Sequence, residues 1–277
     1  MFAPVDTRDP EAVESEIRSI YAALFPDGDR GFVARAFAWA ARCFAGDHSD
    51  WQRIDARYHD FEHTLQGALC LSRLLQGRHG SGVEPVLTVK CFELGLLAIL
   101  FHDTGYLKRR GDLDGTGAKY TAVHVARSAV FAREFLVPRG FADTDVLAVQ
   151  NMINCTGIST NLAAIRFQSE LERIVGYALG TADLLGQMAA PDYIEKLPVL
   201  YEEFAEAARH APPGSAHLFA FDSAEALMRN TPAFWEKYVR PKIDGDFRRL
   251  YTFLADPYPH GPNPYLQRIE DNLARLR

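Results

Sequence analysis

The most apolar stretch of the chain, residues 86–101, ends directly at an adjacent histidine and aspartate, His102 and Asp103. The stretch contains Lys90 and Glu93 and is too short to span a bilayer, so it predicts a buried core helix. Charged groups at the end of a buried helix are costly unless they are paired, hydrogen-bonded or bound to a metal. We therefore interpret His102 and Asp103 as two ligands of one divalent metal ion and expect further ligands elsewhere.

Apolar residues recur at helical spacing along most of the chain, and no stretch alternates as a half-buried strand does. The pattern therefore predicts an all-α fold, a compact bundle of many helices. Pro241 is expected to kink or end the helix in which it lies. The predicted helices begin near Pro10, Phe32, Tyr58, Val86, Tyr120, Asp143, Ser169, Pro191, Thr231 and Tyr265.

The chain has 277 residues, 48% of them hydrophobic, which is enough for a substantial core. We predict a single all-helical domain over residues 1–277. Its central part spans about 50–190, and N-terminal helices at 9–45 and C-terminal helices at 191–277 pack on that part.

The composition also limits the partners and the location of the protein. A formal net charge of -6 argues against binding along a nucleic-acid backbone, but it allows a small phosphorylated substrate. The first ten residues lack the apolar region of a signal peptide, so we expect none, and we also expect no membrane partner because residues 86–101 are too short to span a bilayer. The sequence is compatible with either a monomer or a homodimer. Scattered cysteines without a CxxC pair indicate reduced thiols in a cytoplasmic protein; they are Cys43, Cys70, Cys91 and Cys155.

Two further segments supply the ligands that a metal site needs. His59 and His63 are four residues apart, so on one helix both imidazoles would share a face and point to one centre. Asp183 lies inside an apolar helical pattern and is expected to face or border the interior. Two histidines and two carboxylates suit Zn, Fe or Mn, and a second oxygen of Asp103 could bridge to a neighbouring Mg or Mn.

Each of these residues also has a structural interpretation. A lone histidine such as His124 is more often a core residue than a ligand, although His124 is kept as a candidate for substrate or supporting contacts. Asp103 alone could end a helix, and Asp183 alone could accept backbone hydrogen bonds. The order of the candidates along the chain favours the metal interpretation over coincidence.

Residues 105–117 contain four glycines and a run of basic residues directly after the His-Asp pair, which predicts a mobile loop. Lys108 and Arg109 are candidates for contacting a substrate phosphate when this loop closes. The alternative is a solvated basic loop with no role in binding. Tyr58 and Tyr106 flank the candidate ligands and are further candidates for substrate or supporting contacts.

At His63, His102, Asp103 and Asp183 the sequence resembles the HD-domain metal-dependent phosphohydrolases, which are named for an adjacent His-Asp pair. The four residues fall in that family's order, His…His-Asp…Asp. The resemblance covers roughly residues 50–190 and implies an all-helical fold with a one- or two-metal centre.

The segment from Tyr58 to His63 is similar to the first signature of the cyclic-nucleotide phosphodiesterase branch of that family. This likeness implies that His59 is the proton donor and His63 a metal ligand. Asp60 stands where the branch has asparagine, and Tyr106 stands where it has a further histidine. The resemblance therefore implies phosphoester hydrolysis without implying a cyclic-nucleotide substrate.

We predict a phosphohydrolase that acts on a phosphodiester or phosphomonoester of a nucleotide-like molecule, with His59 and Asp103 as catalytic residues. Asp60, Glu62 or a more distant residue would hold the imidazole of His59. One alternative is a di-iron oxygenase, which needs more histidines than His124 adds to the interval before the last aspartate. Another is a non-catalytic regulatory module that binds a metal or a nucleotide, which would not need a proton donor.

Overall fold

The computed structural model describes residues 2–158, 160–211 and 221–277, and the all-α fold class is confirmed. Within these ranges the only β-type pairings are two isolated bridges. The α-helices are, in chain order, α1 (Pro10–Leu24), α2 (Phe32–Ala45), α3 (Phe61–Gly80), α4 (Val89–Phe101), α5 (His124–Leu136), α6 (Asp143–Ile153), α7 (Glu170–Met188), α8 (Tyr193–His210), α9 (Ala224–Phe234) and α10 (Pro264–Ala274).

Short polar side chains set where several helices begin. The carboxylate of Asp9 accepts hydrogen bonds from the first-turn amides of α1, ahead of Pro10 at the first helical position. Thr88 accepts from the amide of Cys91, so α4 begins at Val89 and not at Val86 as predicted. In the same way Asp60 accepts from the amide of His63, so α3 begins after residue 60.

The C-terminal part departs from the prediction at its prolines. A helix does not begin at Thr231, because the hydroxyl of Ser223 caps α9 and Pro232 lies inside that helix. Pro241 does not end the helical stretch either. The backbone continues through two π-helical turns, Trp235–Val239 and Lys242–Asp246, whose i to i+5 bonding departs from the α-helical bonding that a proline would interrupt.

α3 and α7 lie side by side at the centre of the fold. A Cβ atom on Gly186 of α7 would lie 2.8 Å from the carbonyl oxygen of Gln66 on α3, so only glycine allows the two backbones to approach this closely. A Cβ on Gly67 would likewise lie 3.1 Å from Cδ1 of Ile99 on α4. This packing brings the first turn of α3, the end of α4 and the middle of α7 together.

A continuous cluster of buried apolar side chains extends from Val13 to Leu273. Among the cysteines, Cys43, Cys70 and Cys155 are buried, whereas Cys91 is partly exposed. Within the described residues, no helix has the length and apolar character that a bilayer crossing requires.

Candidate metal centre

Four predicted ligands from three helical elements meet at one point. Nε2 of His63, in the first turn of α3, lies 3.2 Å from Oδ2 of Asp103 and 3.3 Å from Oδ1 of Asp183. Nε2 of His102, at the end of α4, lies 3.2 Å and 3.4 Å from the same two oxygens. The ligand atoms of His63, His102 and Asp103 all lie within 4.8 Å of one another. The two imidazoles and two carboxylates therefore surround one small space.

The chemistry of this donor set fits a divalent metal ion. Nδ1 of His102 lies 2.7 Å from the carbonyl oxygen of Ile99, to which it donates, so in the neutral ring Nε2 carries the lone pair. Nε2 of His102 and Oδ2 of Asp103 are buried and have no hydrogen-bond partner, although they are 3.2 Å apart. When the ring is neutral, these two lone pairs face each other, and a metal ion between them would satisfy both. Adjacent ligands at bond lengths of 2.0–2.2 Å lie roughly 3 Å apart, close to the spacing seen here.

The local electrostatics favour positive charge at this point. Burial by itself lowers the pKa of His63, but Asp103 and Asp183 outweigh it and raise that pKa to about 9. The same two carboxylates raise the pKa of His102 well above its ordinary value against the effect of burial. Burial opposes ionisation of Asp103 and Asp183, yet the imidazoles hold both carboxyl pKa values below the usual range. Without a metal, protons on the imidazoles therefore compensate the carboxylates.

The end of α4 presents its two ligands in different backbone conformations. His102 is the last residue with helical dihedral angles, and Asp103 leaves the helix at φ -108° and ψ 6°. Thr104 donates from its hydroxyl to the carbonyl of Phe101 at 2.7 Å and so satisfies one of the terminal carbonyls. The C-terminal end of a helix carries partial negative charge, which favours a cation beside it.

His59 lies beside the cluster but not on the helix of His63. α3 begins at Phe61 because Asp60 caps it, so the predicted helical face shared by His59 and His63 is wrong. The ring centroids of the two histidines nevertheless lie 5.4 Å apart. Nδ1 of His59 lies 2.6 Å from Oε2 of Glu203 on α8. Of the expected partners for this imidazole, the structure therefore shows the residue distant in sequence and not Asp60 or Glu62.

Glu203 is buried and holds both the ring and the backbone of this segment. Its Oε1 accepts from the amide of Tyr58 at 2.7 Å, while its Oε2 meets the His59 ring. Burial raises the pKa of the Glu203 carboxyl, but the charge on His59 outweighs this and lowers it. The two local candidates are engaged elsewhere, since Asp60 caps α3 and Glu62 pairs with Lys196 at 2.7 Å.

The ring of Tyr106 lies between two imidazoles. Its centroid is 4.4 Å from that of His59 at an interplanar angle of 14°, and 4.6 Å from that of His124 at 21°. Nδ1 of His124 lies 2.6 Å from the carbonyl oxygen of Thr121, and its Nε2 lies 3.8 Å from Oδ1 of Asp103. Asp103 therefore presents one oxygen to the four-residue cluster and the other towards His124.

Tyr58 supports the cluster from the side of α7. Its hydroxyl donates to Oε1 of Gln187 at 2.8 Å, and Gln187 lies one turn beyond Asp183 on the same helix. Its ring centroid lies 5.8 Å from that of His63. Burial raises the pKa of the Tyr58 hydroxyl well above its ordinary value, so the group stays a neutral donor.

Lys108 and Arg109 make structural contacts of their own. Nζ of Lys108 is buried, donates to the carbonyl of Gly115 at 2.6 Å and lies 2.8 Å from Oδ2 of Asp55. Arg109 stacks over the ring of Trp51 at 3.8 Å and pairs with Glu134 at 2.7 Å. A contact between Lys108 and a substrate phosphate stays a prediction, and it would require Nζ to leave Asp55 and Gly115. The alternative of a solvated loop does not describe Lys108, which is buried.

Sequence reasoning missed Glu203, which is the residue that orients His59. On α8 it follows another glutamate, Glu202, which is exposed and pairs with Arg57 at 2.7 Å. The available signal was its place beside the apolar stripe of that helix, one residue before Phe204. That signal is weak because a charged residue next to an apolar stripe is common at a helix boundary with solvent.

Comparison with known proteins gives one family. The family model described as Npun_R2479-like matches residues 16–254, which is most of the chain. No curated protein matches the sequence.

Proposed function

We propose that this chain, which belongs to the Npun_R2479-like family, is a metal-dependent phosphohydrolase of the HD-domain type. The proposed substrate is a phosphodiester or phosphomonoester of a small, nucleotide-like molecule. The observation that carries the proposal is that Nε2 of His63 and Nε2 of His102 each lie 3.2–3.4 Å from an oxygen of Asp103 and an oxygen of Asp183.

The four ligands would hold one divalent cation, with Zn, Fe or Mn suited to the mixture of nitrogen and oxygen donors. When bound, such an ion lowers the pKa of a coordinated water to about 7 and polarises a phosphoryl oxygen. The buried carboxylates Asp103 and Asp183 are already held in the ionised form that a ligand requires. The hydrogen bond from Nδ1 of His102 to the carbonyl of Ile99 leaves Nε2 as the nitrogen that would bind the metal once the ring is neutral.

His59 would supply the proton that the leaving oxygen needs. Oε2 of Glu203 accepts the Nδ1–H of the imidazolium at 2.6 Å, which fixes the ring and stabilises its positive charge. This leaves Nε2–H as the acidic group for the leaving oxygen. A general acid of this kind typically contributes about 10²- to 10⁴-fold to the rate.

Oδ1 of Asp103 offers a place for a second ion, Mg or Mn. It lies 3.8 Å from Nε2 of His124, whose other nitrogen already donates to a backbone carbonyl. Asp103 would then bridge the two ions, and water or substrate oxygens would complete the second one.

A second candidate is an HD-type di-iron oxygenase, towards which His124 adds one histidine beside Asp103 and which would need further ones. That reaction requires iron and consumes dioxygen with a polyol or phosphonate substrate. A third candidate, a non-catalytic module that binds a metal or a nucleotide, would show ligand-stabilised melting without turnover. The pairing of His59 with Glu203 supports the hydrolase over this third candidate.

The test is a panel of phosphate esters assayed with protein that has been stripped of metal and then reloaded with Zn, Mn, Fe or Mg. The panel includes aryl phosphomonoesters, aryl phosphodiesters, nucleoside monophosphates and cyclic nucleotides. Hydrolysis that chelation abolishes and one of these ions restores is expected. Full activity in Asp183→Ala would contradict the assignment, and iron-dependent dioxygen uptake would favour the second candidate.

We further propose a cytoplasmic location, since none of the described cysteines lies in a disulfide. A homodimer is also part of the proposal, and sedimentation of the purified chain measures it directly.

A further inference from the structure

A cavity of about 160 Å³ lies between the segment that precedes α1, the first half of α3, α10 and the turn that joins α7 to α8. Its α3 wall is a single stripe of that helix, which runs from Glu62 to Arg73. None of the metal-site residues lines it, although Glu62 directly precedes His63 and Gly186 lies one turn beyond Asp183. The cavity is therefore a separate site beside the metal centre.

Most of the charged groups around this cavity already have partners. Oδ1 of Asp6 lies 2.9 Å from Nε of Arg8, and Oε2 of Glu62 lies 2.7 Å from Nζ of Lys196. Lys196 also lies 3.7 Å from Oδ2 of Asp192. Three charged residues of the wall keep hydrogen-bonding capacity, namely Arg73, Arg268 and Asp192.

Arg73 is the buried one of the three, with 3% of its surface exposed. One of its terminal nitrogens donates to the carbonyl of Ala3 at 2.6 Å and lies 3.4 Å from Glu16, but its Nε has no hydrogen-bond partner. Arg268, on α10, lies at the rim, and among the described residues no carboxylate is within ion-pair distance of it. The wall thus presents two guanidinium groups with donors to spare.

Asp192 provides the complementary group. Its Oδ1 is buried and has no hydrogen-bond partner, in contrast to the oxygen that faces Lys196. A buried acceptor and a buried donor that both lack partners are uncommon in folded proteins and are normally satisfied by water or a ligand. The rest of the wall mixes apolar residues, such as Leu69 and Pro191, with the polar side chains of Thr7, Gln66 and Tyr265.

We propose that this cavity binds a small carboxylate that also carries a hydrogen-bond donor, the chemistry that amino acids and short hydroxy acids share. Its carboxylate would accept from Nε of Arg73 and from Arg268, in keeping with the preference of guanidinium groups for planar anions. Its ammonium or hydroxyl group would donate to Oδ1 of Asp192. The volume equals that of roughly five water molecules, which suits a molecule of this size.

The experiment measures binding to the full-length protein by thermal melting and by calorimetry. The probes are the individual L-amino acids, glycolate, lactate and inorganic phosphate. At least one carboxylate is expected to raise Tm by roughly 3 °C at ten times its Kd, and phosphate is expected to have no effect. An unchanged Tm with every carboxylate, or a shift with phosphate alone, overturns the proposal.

Two substitutions test the site without replacing the buried Arg73, because Arg268 is exposed and Asp192 is partly exposed. Arg268→Gln and Asp192→Asn are each expected to weaken Kd for the binding carboxylate about tenfold or more, since each removes a charged partner. Asp192→Asn should weaken an amino acid more than a hydroxy acid, because only the ammonium loses an ionic partner. Arg275→Gln is the matched control on the same side of the fold, as Arg275 is exposed, pairs with Glu195 and does not line the cavity.

Unchanged Kd in both Arg268→Gln and Asp192→Asn, or an equal loss in Arg275→Gln, would place the ligand elsewhere and overturn the proposal. Because the readout is binding, its outcome does not depend on whether the metal centre hydrolyses phosphate esters.

Discussion

Oε2 of Glu203 lies 2.6 Å from Nδ1 of His59, and 144 residues of sequence separate the two. The other oxygen of the same carboxylate accepts from the amide of Tyr58, so Glu203 fixes the proposed proton donor through both its ring and its neighbouring backbone. His59 precedes α3, so the helix does not orient its side chain. The contact with Glu203 explains how the imidazole can still hold a defined orientation.

The first prediction concerns this pair. In Glu203→Gln the amide cannot stabilise an imidazolium and can force the wrong tautomer, so kcat for phosphoester hydrolysis should fall by about 10²-fold. KM should change little, because Glu203 contacts His59 and not the metal ligands. The measurement is steady-state kinetics with metal-loaded protein.

Glu202→Gln is the matched control, since it makes the same change one residue earlier on the exposed side of α8. It should leave kcat within about twofold of the wild type, because exposed ion pairs contribute little. Equal losses in the two variants would contradict the role given to Glu203.

A second prediction separates proton donation from metal binding at His59. In His59→Asn the loss of rate should be about 10²- to 10⁴-fold for an alkyl phosphodiester, whose leaving group needs a proton. For a p-nitrophenyl ester the loss should be much smaller, since that leaving group departs as a stable anion. Metal content should match that of the wild type. An equal loss with both leaving groups would assign His59 a different function.

The contact between α3 and α7 gives a third prediction. In Gly186→Ala the new methyl group would lie 2.8 Å from the carbonyl oxygen of Gln66, so α7 must move away and carry Asp183 with it. We expect a loss of about 1–3 kcal/mol in stability together with weaker metal binding. Melting curves and metal titrations measure the two effects.

Gly80→Ala is the control for that substitution. Gly80 is the last residue of α3, and a Cβ there meets no atom within 4 Å. Its replacement should leave stability unchanged or raise it by up to about 1 kcal/mol, with unaltered metal affinity. A stable Gly186→Ala variant with normal metal binding would show that the close contact does not set the position of Asp183.

The sequence predicted the helical fold and the members of the cluster because both follow from local patterns. The apolar run before His102 and the isolated acid at Asp183 can each be recognised from a short segment of the sequence around them. The helical spacing of His59 and His63 predicts one shared helix, but Asp60 between them caps α3 and leaves His59 outside it. Helix starts depend on one hydrogen bond, and a shift of three residues changes which side chains share a face.

Other parts of the site depend on tertiary packing that no local pattern records. Glu203 and Glu202 are adjacent and chemically identical, and only the packing of α8 decides which one is buried. Lys108 belongs to a segment rich in glycine and basic residues, yet Asp55 and the carbonyl of Gly115 hold it inside. The pair with Asp55 joins residues that are far apart in sequence, so the local composition around Lys108 predicts an exposed side chain instead.

A fourth prediction concerns pH. Without metal, the pKa of His63 rises from 6.5 in the unfolded chain to about 9 in the folded protein, since Asp103 and Asp183 outweigh burial. A raised folded-state pKa means that this contribution to stability is complete below pH 6.5 and is lost as pH rises through about 9. A bound metal needs the neutral imidazole, so its affinity changes in the opposite sense.

The Tm of chelated protein should therefore fall between pH 6.5 and 9, while the stabilisation gained on adding metal should grow over the same interval. Parallel melting curves with and without metal give both quantities. A gain from metal that shrinks as pH rises would contradict the assignment of the imidazoles as ligands.

The most direct test of the metal centre is the metal content of purified protein after loading and dialysis, determined by elemental analysis. The wild type is expected to retain at least one divalent ion per chain, and His63→Asn and Asp183→Asn are expected to bind it at least about 10²-fold more weakly. His79→Asn, on the same helix but packed against Phe25 away from the cluster, should retain the wild-type content. Equal metal content in His63→Asn and the wild type, or no retained metal in the wild type, would contradict the account.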